Sequence, residues 1–260
     1  MKKFLKQVFH SNLGITVRNL VNFRPPQFLH AYEDQYLASD LFVWRTDDDY
    51  ETIFKGSNIL KKYYGLKSYL KIIFYNESGS LIKEMDIDFP DIGTLTLLIN
   101  EELLGVKSTG TFCVFNYPKD KTQKKLSVTN KCYVGYGKGG SYSMFHGNMV
   151  ALSLKQDTPS SEMANSLSPT VSSRSGTYEY IIQKKFDSKS VVTLVFSNPL
   201  SREVNFSVNG QRNIIKPKGC ILFLVDNEKV DGIIKIKSDF IFPRPIVICE
   251  DENYIDCHHG

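Results

Sequence analysis

From residue 68 onward the apolar positions fall into short runs separated by polar turns. Residues 69–75 are almost continuously apolar, the pattern of a strand covered on both faces. Met85, Ile87 and Phe89 alternate with Glu84, Asp86 and Asp88, which suits a strand with one wet face. Similar runs predict strands over 94–99, 111–116, 131–136 and 148–154, and later over 178–183, 191–197, 203–208, 213–216, 220–225, 233–237 and 245–249. Asn198-Pro199 and Asn209-Gly210 are turn signals, the second typical of a tight hairpin. No strong helical period follows residue 65. Many short strands without crossover helices predict an all-β chain of antiparallel sheets.

Two stretches of the chain resemble one another. Ser68–Asn76 matches Ser190–Asn198, and a glycine then opens a further apolar run in each, Gly93 before 94–99 and Gly219 before 220–225. Lys107-Ser108 answers Lys237-Ser238, Phe112–Phe115 answers Ile246–Cys249, and Tyr142…His146-Gly147 answers Tyr254…His259-Gly260. Between them, residues 155–177 are rich in Ser and Pro and poor in large apolar side chains, the composition of a linker or long loop. The predicted fold class is therefore two tandem, internally repeated antiparallel β-sandwich domains. The divisions are an N-terminal mixed or helical segment (1–40), a first β-sandwich (41–154), the linker (155–177) and a second β-sandwich (178–260). The N-terminal segment can be read as helix, strand or partner-binding arm, and Pro25-Pro26 interrupts it.

The second stretch carries four short motifs: Leu194-Val195-Phe196-Ser197-Asn198, Val204-Asn205-Phe206, Pro217-Lys218-Gly219-Cys220-Ile221 and Pro245-Ile246-Val247. In these it resembles the sensory-rhodopsin-transducer-like β-sandwich family. The resemblance implies a compact, oligomerising sandwich. It implies no rhodopsin partner, because no binding motif matches residue by residue.

Composition narrows the function classes. The 260 residues are 42% hydrophobic and 23% charged, with a net charge of only +4. Lysines at 2, 3, 6, 61, 62 and 119–125 are not interleaved with aromatics as in single-strand binders, so no nucleic-acid partner is expected. No run reaches the ~18–20 apolar residues of a membrane-spanning helix, and Lys6, His10, Asn12 and Arg18 break up any signal-peptide core. The five cysteines form no CxxC pair, and Cys113, Cys220 and Cys249 lie inside apolar runs, which points to a reducing, cytoplasmic setting. No cofactor motif is present: Gly-x-Gly-x-x-Gly lacks its strand–helix context, and Asp47-Asp48-Asp49 lacks EF-hand spacing and reads as a solvated turn.

The densest polar and aromatic cluster is residues 132–148. Its candidate ligand-binding residues are Tyr133, Tyr136, Tyr142, Ser143, His146 and Asn148, because sugar sites combine aromatic faces with such donors and acceptors. A hairpin that uses Gly135, Gly137, Gly139 and Gly140 for tight backbone geometry explains the same segment equally well. His258, His259, Asp256 and Cys257 could be a terminal metal cluster, or Cys257 an activated thiolate, but no metal site is assigned. No convergent catalytic set is visible, so the expectation is a non-catalytic binding or assembly protein, homo-oligomeric, that recognises a glycan or protein through 132–148. The alternatives are an enzyme of carbohydrate or nucleotide-sugar chemistry with its site between the two halves, and a structural or viral assembly protein.

Overall fold

The computed structural model describes residues 17, 36–89, 93–120, 122, 126–129, 132–147, 151–170, 176–183, 190–226, 232–240, 245–252 and 254–259. Among these residues the chain is all-β, with three short helices. Twenty strands, numbered β1 to β20 along the chain, make five four-stranded sheets. The sheets are arranged as the five blades of a β-propeller. No helix among the described residues is long and apolar enough to cross a membrane.

Blade 1 is ordered β12 (Ser168–Pro169), β11 (Leu152–Lys155), β1 (Tyr36–Ser39), β8 (Ser127–Thr129). Blade 2 is β2 (Phe42–Arg45), β7 (Thr109–Pro118), β4 (Ser68–Asn76), β5 (Leu81–Asp88). Blade 3 is β10 (Ser141–His146), β9 (Cys132–Lys138), β3 (Glu51–Ser57), β6 (Thr94–Ile99). Blade 4 is β17 (Cys220–Val225), β14 (Val191–Ser197), β19 (Ile246–Glu250), β20 (Ile255–His259). Blade 5 is β13 (Tyr178–Gln183), β18 (Ile233–Ser238), β15 (Val204–Val208), β16 (Gln211–Ile215).

This overturns the expected pair of tandem β-sandwiches. A sandwich sheet turns one face to its core and the other to water. Blade 2 buries both faces. Leu70, Ile72, Phe74, Phe112 and Val114 point into one core, and Ile73, Tyr75, Cys113 and Phe115 into another. Blade 4 is likewise buried on both sides. Val195, Ile246 and Ile248 join the core of blades 2 and 3, while Val192, Leu194, Phe196 and Val247 join blade 5. The hydrophobic pattern identifies such strands as fully covered, but it does not say how many layers cover them.

The internal repeat fails for the same reason. β4 and β14 are alike, each a central strand paired with β7 or β19. The runs after Gly93 and Gly219 are not alike: β17 pairs with β14, whereas β6 leaves blade 2 and pairs with β3 in blade 3. Lys237 and Ser238 lie in β18, whereas Lys107 and Ser108 precede β7. Part of the 155–177 segment is packed: it holds a short helix, α1 (Met163–Ser166), whose Met163 is fully buried against blades 1 and 2. Of the N-terminal 1–40 segment only residue 17 and the β1 region are described.

The core of blades 2 and 3 is organised on Phe112. Its ring lies 5.1 Å from Phe42, 5.6 Å from Phe74 and 5.9 Å from Phe54 of blade 3. Such ring pairs add about 0.5–1.5 kcal/mol each beyond area burial. Beside them the buried Trp44 indole crosses Gly110 and donates its Nε1–H to Tyr75 O at 3.0 Å. A Cβ on Gly110 would sit 2.1 Å from Tyr75 O and 2.7 Å from the indole. Gly110→Ala should therefore cost about 1–3 kcal/mol by overpacking and shift Trp44 fluorescence in the folded state. Urea titration checks this, and an unchanged midpoint would contradict it.

Candidate functional site

The 132–147 segment is a β-hairpin, β9 and β10, closed by Gly139 and Gly140 at positive φ. Strand alternation divides its side chains between two faces. Tyr136 and Phe145 point inward and are buried, and the Tyr136 hydroxyl donates to Val43 O at 3.0 Å. Ser143 shares that side and accepts from Cys257 N at 2.9 Å. Tyr133, Met144, Tyr142 and His146 share the outer face, since Tyr133 pairs with His146, Gly135 with Met144 and Gly137 with Tyr142. Of the six residues expected from sequence, Tyr133, Tyr142 and His146 are thus brought together, and Tyr136 and Ser143 face the other way. Asn148 lies outside the described residues.

The outer face is an open platform. Tyr133 is 55% and Tyr142 51% exposed. The register adds Lys55, Ile53 and Glu51 of β3, and beyond them Leu98 of β6, itself 42% exposed. Gly137 is what lets Tyr142 lie down: a Cβ there would be 2.0 Å from the Tyr142 ring. Gly135 does the same for Met144, whose Cγ would be 2.5 Å away. The Tyr142 hydroxyl donates to Glu51 Oε2 at 3.2 Å, and that bond raises the phenol pKa above its ordinary value. Of the four glycines, Gly139 and Gly140 make the hairpin turn, whereas Gly135 and Gly137 are a flat strand floor under two large side chains.

The inner face of β10 packs against β20, so the chain segments around His146 and His259 meet. Their rings are 5.2 Å apart, and His259 Nε2 lies 3.1 Å from His146 O, which accepts. His146 Nδ1 lies 2.8 Å from Gly147 O. His258 faces Asp256 at 3.4 Å. Among the described residues no group of three or more His, Cys, Asp and Glu side chains is placed to hold a metal ion. Burial pushes the Cys257 thiol up to about 12, so it stays protonated.

A second polar assembly, not singled out by any sequence signal, ties blade 4 to blades 2 and 3. Arg45, buried, pairs with Asp47 at 2.7 Å and stacks 3.7 Å over the Tyr50 ring. Tyr50 donates to Glu250 Oε2 at 2.7 Å, and Lys138 pairs with Glu250 Oε1. Burial pushes Glu250 upward, but its bonds from Lys138 and Tyr50 outweigh that and hold its pKa below the usual value. Asp47 is therefore an ion-pair partner and not only part of a solvated acidic turn. Tyr50 and Glu250 are 200 residues apart, a separation no local motif can signal.

No protein-family model, curated protein or solved structure matches this chain. Nothing therefore bears on the resemblance of residues 177–248 to the transducer-like family.

Asp40 gives a pH test of this region. Its carboxylate lies against Gly147, where a Cβ would be 1.8 Å from Oδ2, and burial raises its pKa from 3.8 to about 8. The folded state thus holds a proton that the unfolded chain releases, so this contribution to stability is complete below pH 3.8 and is lost as pH rises toward 8. Asp40→Asn should gain stability over wild type progressively across that window. Urea titrations at pH 5 and pH 8 check it, and an equal difference at both would contradict it.

Proposed function

We propose that the protein is a non-catalytic binding or assembly protein, homo-oligomeric, that holds a saccharide against the open face of blade 3. The observation that carries this is the pair Tyr133 and Tyr142, exposed on a face floored by Gly135 and Gly137. Aromatic faces stack on the apolar side of sugar rings, while Glu51, Lys55 and His146 on the same face supply partners for hydroxyls. Tyr133 and Gly137, the floor of Tyr142, are four residues apart on β9, so the two rings are anchored ~13 Å apart. That spacing suits an extended saccharide chain better than one ring. A propeller is compatible with binding and assembly roles in general, so the assignment rests on the face and not on the fold.

An enzyme with its site between the halves would want a carboxylate beside His146. Beside His146 lie Gly147 O and the His259 ring, and neither is a carboxylate. The five cysteines are buried and unpaired, which is the ground for a cytoplasmic location.

The test is a saccharide array followed by titration calorimetry. Wild type should bind an extended saccharide, and Tyr133→Ala with Tyr142→Ala should weaken it roughly tenfold or more, given ~1 kcal/mol or more lost per stacked ring, with an unchanged unfolding midpoint. Absence of binding across the array, or binding unaffected by the double variant, would contradict the proposal.

A further inference from the structure

The outer edge of blade 4 is built for a partner. Strand β17 reads Cys-Ile-Leu-Phe-Leu-Val, with no charge and no proline. Edge strands are ordinarily blunted by charge, proline or a bulge, because their open backbone groups template pairing with another chain. β17 has none of these, its register with β14 is unbroken from Cys220 to Val225, and Leu224 is 66% exposed.

The direction of its backbone groups follows from one bond. Asn198 N donates to Gly219 O at 3.0 Å, so Ile221, Phe223 and Val225, at alternate positions, bond to β14. Cys220, Leu222 and Leu224 then turn their N–H and C=O outward. Cys220 is already satisfied, since its N–H donates to Glu77 O at 3.1 Å from the β4–β5 turn. Among the described residues no strand pairs with Leu222 or Leu224 on that side. A cleft of about 580 Å³ opens there, lined by Glu77, Ser78, Ile214, Lys216 and Leu222.

We propose that this edge pairs with β17 of a second copy of the chain, antiparallel, across a two-fold axis at Leu224. The inference rests on the homo-oligomer part of the reading above and not on its saccharide part. A two-fold contact uses the same patch twice, so the strand must complement itself, and an uncharged apolar strand does. The Glu77 bond blocks Cys220, which limits pairing to 222–226 against 226–222. In that register the two Leu224 side chains lie side by side on the face that also carries Val191, 50% exposed. Asp226 of each copy falls opposite Leu222 of the other, at the cleft lined by Lys216. Both charged residues are exposed, so each end of the pair brings opposite charges together, twice by symmetry.

The experiment combines light scattering with cross-linking. All five native cysteines are buried, so an introduced thiol at the edge is read against a low background. Wild type should have twice the 29.7 kDa chain mass. Leu224→Cys should cross-link to a covalent dimer under mild oxidation, Leu81→Cys on the β5 edge should not, and Leu224→Lys should be a folded monomer. A dimeric wild type in which Leu224→Cys stays uncross-linked and Leu224→Lys stays dimeric would overturn the edge while sparing the homo-oligomer reading. A wild type monomeric at all concentrations would overturn both and leave the edge to a strand of another protein.

Discussion

The pairing of β4 with β7 is the constraint on which the other blades depend. These are the longest strands, paired from Ser68–Pro118 to Asn76–Gly110, and they are buried on both faces. One side takes the aromatic cluster around Phe112, and the other takes Leu37, Leu152, Leu154 and Met163 of the blade 1 region. A strand pair covered twice must be laid down between two other layers, so blades 1 and 3 cannot form independent units. Its polar exception shows the same logic. Lys71, buried in β4, reaches Glu84 at 3.1 Å and Asp86 at 3.2 Å on β5, so its charge is paired where water cannot serve.

The second half of the chain joins this core and does not stand beside it. Val195, Cys220, Ile246, Ile248, Ile255 and Cys257 pack in the same cluster as Phe42, Trp44 and Phe54. Polar contacts follow: Glu250 to Tyr50 and Lys138, Cys257 N to Ser143, Cys220 N to Glu77 O, and the Thr111 hydroxyl to Lys218 O. The same arrangement sets what is left for function. The inner face of the β9–β10 hairpin is consumed by the contact with β20. Its outer face, with Tyr133 and Tyr142, is left to solvent. Blade 4 is closed at β20, which meets β10, and among the described residues it is open at β17.

Much of this was legible one strand at a time. The continuous run at 69–75 is a doubly covered strand, 220–225 is a strand where the apolar pattern puts it, and the strand expected at 245–249 lies at Ile246–Glu250. The alternation at 84–88 falls in an edge strand, β5. What the pattern could not carry was partner choice. β6 and β17 look alike locally, each a glycine followed by six apolar-rich residues, yet their neighbours are set by packing with segments far away in sequence. For the site, the cluster 132–148 was visible by composition. Its division into an outer trio and an inner pair needed the strand register, and a one-residue shift would have exchanged the two sets. The Arg45–Tyr50–Glu250–Lys138 assembly had no signal at all, because its members are scattered singly along the chain.

The two halves share one core and therefore fold as one unit. Two probes follow them separately during urea unfolding: fluorescence of Trp44, the single tryptophan, buried in the first half, and mass-resolved thiol labelling of Cys249, buried between blades 4 and 5. One transition with coincident midpoints is expected for both probes. Two transitions, with Cys249 becoming reactive while Trp44 stays buried or the reverse, would contradict it and return the chain to two independent domains.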